Sequence, residues 1–231
     1  RQGDKNGFDG YKSSLQGLVV GIDKKTDKNT LTGISFSIAN SKIETSDLLS
    51  STQSDIYQLS IYQEKEFSKN KYYNLIAAVG TGRNDSSRSI PTAGVTANAK
   101  FASYNYSLRG SLYNKIIFEN GLDLVPHIGL GYSANKIEDY QEQGAQEANL
   151  SVKTSDLQML NGSIGIGVGY KKKISSLNLG LVKLDSFIIY PKLKISYEYD
   201  FLQDIQTSVS NFEGHDLSFT TRSSRTDPST I

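Results

Sequence analysis

The feature that most constrains this chain is an alternation of apolar and polar side chains with a period of two. From Phe187 to Asp200 the odd positions are Phe187, Ile189, Pro191, Leu193, Ile195, Tyr197 and Tyr199. The even positions from 192 are Lys192, Lys194, Ser196, Glu198 and Asp200. Wound as a helix, this segment would scatter its charges round the cylinder; as a strand it keeps them on one face. The same alternation places Leu18, Val20 and Ile22 on one face of a strand, as it does Ile34, Phe36 and Ile38, and Tyr57, Leu59 and Ile61. It recurs at Tyr73–Val79, Ala102–Leu108, Ile128–Tyr132 and Ile164–Tyr170, which makes eight candidate strands. The expected fold is all-β, with no helix longer than two turns.

The joints between these strands fall into two classes. Those near 24–30, 65–71 and 116–121 are short and polar and read as tight turns; 171–185 is longer but has the same parity. Those at 40–54, 83–97 and 134–150 are hydrophilic, rich in Ser, Asn, Glu and Gln, and read as long loops. Short and long joints alternate strictly. An antiparallel up-and-down meander has this form, with tight turns at one end and long loops at the other.

A soluble β-sandwich would alternate too, burying its apolar faces against each other. Hydrophobic residues make up only 37% of the chain and charged residues 21%, which suits neither a dry core nor a disordered segment. Two features favour a membrane barrel. Tyrosines such as Tyr57, Tyr132, Tyr170 and Tyr199 stand near strand ends, where a ring in lipid can keep its hydroxyl wet. The polar faces are dominated by Gly and Ser rather than by long charged side chains. No apolar run approaches the roughly 20 residues of a membrane helix, but a barrel crosses with strands of about 9–11. Ile164, Ile166, Val168, Leu193 and Ile195 are therefore predicted to face lipid. The predicted lumen-lining set is Gly33, Ser35, Ser37, Gly129, Gly131, Ser133, Ser163, Gly165, Gly167, Gly169, Lys192 and Lys194.

Catalytic and binding motifs are scarce. The absence of Cys excludes disulfides and thiol chemistry, and two His in 231 residues leave no His-rich metal centre. A net charge of +1 argues against nucleic acid as a partner. Gly162, Gly165, Gly167 and Gly169 imitate a nucleotide loop, but Tyr170 stands where the third glycine of G-x-G-x-x-G belongs, and the spacing is that of one strand face. His127 lies on the polar face beside Gly129, whereas His215 precedes Asp216 in a polar segment, and no G-x-S-x-G elbow is present. Lys171, Lys172 and Lys173 read as a solvated turn or as a contact for anionic headgroups. No enzyme activity, cofactor or metal is expected.

Residues from Gly7 to Gly214 resemble the translocator (β) domain of autotransporters, the type V secretion system. The resemblance rests on five patterns in order. They are Gly17-Leu18-Val19-Val20-Gly21-Ile22-Asp23; Tyr73-Asn74-Leu75 running to Gly82-Arg83-Asn84; and Val125-Pro126-His127-Ile128-Gly129-Leu130-Gly131-Tyr132 followed by Tyr140 and Glu142. The last two are Pro191 to Phe201 and Phe212-Glu213-Gly214. The Lys-, Ser- and Asn-rich composition looks like that of surface antigens of intracellular bacteria in the family.

The resemblance implies an outer-membrane β-barrel that exports and displays an N-terminal passenger. The alternative is a small barrel that acts as a structural protein or adhesin through its loops. Implied partners are outer-membrane lipid, a passenger polypeptide in cis, the barrel-insertion machinery and host surface molecules. The family's barrel has twelve strands, a helix threading the pore and a terminal aromatic residue. The strands readable here resemble the second to the ninth, so residues 1–231 are expected to form a single, partial barrel domain with both termini outside the cell. Its first and last strands should be left as open edges or should pair with each other.

Overall fold

The computed structural model describes residues 10–45, 49–174, 177–178, 183–184, 187–215, 217–223 and 229–230. Eight long strands run in sequence order: β1 (Tyr11–Asp27), β2 (Thr30–Thr45), β3 (Ser50–Ser68), β4 (Lys71–Ile90), β5 (Val95–Asn114), β6 (Leu122–Ile137), β7 (Leu157–Tyr170) and β8 (Lys192–Asp200). Each pairs antiparallel with its sequence neighbours, so the sheet is an up-and-down meander. The one helical element among the described residues is a 3₁₀ turn at Gln146–Ala148.

Register turns the alternation of single strands into two continuous faces. Val20 stands opposite Phe36, Phe36 opposite Leu59, Leu59 opposite Val79, and Val79 opposite Tyr106. Further along, Leu112, Ile128, Ile164 and Tyr197 form a second apolar row. These side chains are bare: Val20 is 57% exposed and Ile164 61%. The buried apolar residues among those described are Ala78, Ala97, Ala99, Ala145, Leu150 and Val152, none larger than leucine. A sandwich would hide Phe36, Leu59 and Ile164 in its core. Among the described residues no second layer covers them, and an apolar face of this extent is stable only against lipid.

The tight turns are built by side chains. The carboxylate of Asp27 accepts hydrogen bonds from the amide of Asn29 (2.7 Å) and the hydroxyl of Thr30 (2.9 Å), closing the β1–β2 hairpin. Glu66 accepts from the amide of Asn70 (2.8 Å), which adopts φ 62° between β3 and β4.

Two expected loops are strand instead. β2 continues to Thr45 and β3 starts at Ser50, while β4 and β5 extend through 83–97 apart from a turn at 91–94. The ladder there carries polar pairs on both faces: Ser41 opposite Ser54, Lys42 opposite Gln53, Ser87 opposite Asn98. Without an apolar face these residues show no hydrophobic period, although their backbones pair as well as any others. The third loop, 134–150, holds the end of β6 and part of a separate four-stranded sheet. That sheet is made of Tyr140–Gln141, Leu150–Thr154, Thr207–Phe212 and Ser218–Arg222. The segment 187–200 is broken at Tyr190 and Pro191: Phe187–Ile189 pairs with Lys172–Ile174, and only β8 joins the main sheet. The joint 171–185 lies partly outside the described residues. Among those described, no ladder joins β1 to β8; the free side of β8 meets Ser229–Thr230 alone.

Candidate functional site

All the small and basic residues expected on the lumen side share one face of this sheet. On β2, Ser35 stands between Gly21 and Ser60, and Ser37 between Val19 and Gln58. On β6, Gly129 stands between Ser111 and Ser163, Gly131 between Arg109 and Asn161, and Ser133 between Ser107 and Met159. On β7, Gly167 and Gly169 lie opposite Lys194 and Lys192 of β8.

The glycines of this face are saddles crossed by longer side chains. Gly33 lies between Asp23 and Tyr62, and the Tyr62 hydroxyl crosses it to donate to Asp23 at 3.0 Å. Gly165 lies between His127 and Ser196, whose Nε2 and Oγ meet above it at 3.0 Å. Gly169 lies beneath Asp123, which accepts from the Tyr190 hydroxyl. Arg109 passes over Gly131 and reaches Glu198 at 2.8 Å, spanning two strands. Side chains that bridge non-adjacent strands mark this face as the concave one. The run Gly165, Gly167, Gly169 is therefore mostly roofed by neighbours and does not form the smooth surface that a Gly- and Ser-lined lumen suggests.

The short-turn end holds a basic and aromatic hollow of about 200 Å³. Lys115 pairs with Asp123 at 3.1 Å, Lys192 lies over the Tyr190 ring at 4.5 Å, and Lys194 over Tyr113 at 5.7 Å. Asp123 is buried, and its Oδ1 has no hydrogen-bond partner. His127 is 5% exposed and stacks on Tyr113. It has a hydroxyl partner but no carboxylate pairing among the described residues. His215 lies elsewhere, closing the turn after Thr207–Phe212.

At the opposite end, motif residues act as clasps. Asn84 accepts from Ser54 (2.6 Å) and donates to Ser103 (3.1 Å), tying β3, β4 and β5. Tyr140 stacks on Phe101 with ring centroids 4.3 Å apart. Glu142, 7% exposed, takes Arg88 at 2.5 Å and the Leu150 amide at 3.0 Å. Glu213 accepts from Asn149 (3.0 Å) and Gln141 (3.3 Å). Sequence reading attached no role to Arg88, Arg109, Asp123, Tyr62 or Tyr190. Parity placed Asp23, Arg109 and Glu198 on the polar face; only the register reveals which glycine each bridge crosses.

An antiparallel meander with a lipid-compatible convex face and a polar concave face defines the wall of an outer-membrane β-barrel. A family model described as the autotransporter β-domain matches residues 1–230, and the chain belongs to that family. The fold is that of the translocator domain of autotransporter NalP from Neisseria meningitidis. That match has a TM-score of 0.72 at 16% identity and covers 96% of this chain and 77% of that one.

Similar proteins include the putative surface cell antigen sca1 of Rickettsia conorii, 26% identical over 75% of this chain. Outer membrane protein B of Rickettsia typhi is 25% identical over 97%, and outer membrane protein A of Rickettsia conorii 25% identical over 90%. The chain spans 9%, 14% and 10% of their respective lengths. Its place is the bacterial outer membrane, and its class is a transport and anchor domain.

Proposed function

We propose that this barrel exports an N-terminal passenger and holds it on the cell surface, with the polar face at Gly33–Ser37, Gly129–Ser133, Ser163–Gly169, Lys192 and Lys194 turned to the lumen. The observation that carries this is the match of the autotransporter β-domain to residues 1–230, joined to a wall with one apolar and one small, polar face. Residues 1–231 act as one partial barrel domain, inserted by the cell's barrel-insertion machinery. The passenger, in cis, makes the contacts with host surface molecules.

A reporter peptide fused ahead of residue 1 and led to the periplasm by a signal peptide tests the reading. The expected result is a reporter that protease added to intact cells can cleave. A membrane-inserted barrel whose reporter stays protected inside the cell contradicts export. The adhesin alternative predicts that the barrel alone, with no passenger, retains binding to host cells.

A further inference from the structure

The convex face treats its two rims differently. At the short-turn rim, strand parity puts Lys24, Lys65 and Lys71 on the face of Ile22, Ile61 and Leu75, just beyond the apolar band. Lys24 stands opposite Thr32, Thr32 opposite Gln63, and Lys65 opposite Tyr73. Tyr73 donates to Gln63 at 2.8 Å and stacks with Phe67, as an aromatic at a lipid–water boundary does.

On β1, β3 and β4 and in their turns, the carboxylates of this rim have the other parity or another task. Asp23 and Glu64 precede Lys24 and Lys65 and point to the concave face, where Asp23 takes the Tyr62 hydroxyl. Asp27 and Glu66 are held by turn amides, and Asp27 also lies within electrostatic reach of Lys65 without forming an ion pair with it. Among the described residues none of the three lysines forms an ion pair. The opposite rim carries both signs on the same face and neutralises them internally: Lys42 pairs with Glu44 at 2.7 Å and Lys100 with Asp85 at 3.4 Å.

We propose that Lys24, Lys65 and Lys71 form a docking surface for the headgroups of anionic phospholipids in the leaflet at the short-turn side. The three lie on β1, β3 and β4, within four consecutive strands of the sheet, continuous with the face that meets acyl chains. Their aliphatic stems can follow that face while the ammonium groups reach the phosphate level. Anionic surfaces attract such lysines, and their effects accumulate. The proposal rests on the membrane-barrel fold and is independent of passenger export.

The test uses the whole chain folded in neutral detergent micelles, titrated with phosphatidylglycerol or phosphatidylcholine, with retained lipid counted by native mass spectrometry. The expected preference for phosphatidylglycerol is about tenfold or more. It disappears in the Lys24→Gln, Lys65→Gln, Lys71→Gln triple variant. It survives in the corresponding arginine triple and in a Lys42→Gln, Lys100→Gln control. It also vanishes at molar salt, where the screening length falls to about 3 Å, a measurement that needs no variant to fold. Equal retention of the two lipids by the unaltered chain, or a preference that survives the glutamine triple or molar salt, overturns the proposal.

Discussion

Gly165 and Gly167 stand two residues apart on one face of one strand, yet their surroundings differ. A Cβ added at Gly165 would come within 2.5 Å of His127 Cε1 and 2.8 Å of the Ser196 Cα; at Gly167 its nearest neighbour is the Val125 Cβ at 3.5 Å. Gly165→Ala is therefore expected to cost about 1–3 kcal/mol as an overpacked site. Gly167→Ala should fall within about 0.5 kcal/mol of the parent. Urea unfolding in lipid vesicles checks the contrast, and equal midpoints for the two variants would contradict the saddle geometry. On the convex face, Ile166→Arg should cost about 2–4 kcal/mol if residue 166 lies near the bilayer midplane, because a guanidinium there meets hydrocarbon. The same unfolding assay reads that loss. The period of two was enough to assign Ile166 and Gly167 to opposite faces. It could not distinguish Gly165 from Gly167, because that depends on His127 and Ser196, one on each neighbouring strand.

At the scale of elements, β4 and β5 run 20 residues each, well beyond the roughly 9–11 that cross a bilayer. Their outer halves are a polar hairpin, and on it the 138–156 segment is clamped by Glu142. Removing that carboxylate leaves the Leu150 amide without its partner and the Arg88 guanidinium with the Ala148 carbonyl alone, at a cost of about 1–3 kcal/mol. Glu142→Ala should thus open this segment to trypsin at the exposed Lys153 while the membrane-spanning strands stay protected. Unchanged cleavage would show that the clasp contributes nothing. The eight strands and their order were legible because each carries an apolar face. The hairpin extensions at 40–54 and 83–97 were not, since Ser, Asn and Gln on both faces look the same in a ladder and in a loop. The small sheet built from Leu150–Thr154 and Thr207–Phe212 was hidden for another reason: its strands lie over 50 residues apart in sequence, and pairing at that distance leaves no local signature.

At the scale of the molecule, the described residues have nearly all their buried apolar side chains at the long-loop end and almost none in the span between the rims. Its stability must come from backbone ladders, the bridges of the concave face, and lipid against Val20, Leu59, Val79 and Ile164. Membrane-spanning sheets need every backbone donor and acceptor paired, so β1 and β8 require partners along their free edges when the wall stands in lipid. The central claim is that the convex face meets lipid and the concave face meets water. Because the chain contains no cysteine, single cysteines can be introduced and spin-labelled without background. The most direct measurement places labels at Ser163, Ile164, Ile166, Gly167 and Val168 of the whole chain in vesicles and compares collision with oxygen, which concentrates in lipid, and with a water-soluble nickel chelate. The account predicts oxygen-accessible labels at 164, 166 and 168 and chelate-accessible labels at 163 and 167. Labels that fail to alternate, or that alternate in the opposite sense, would contradict it.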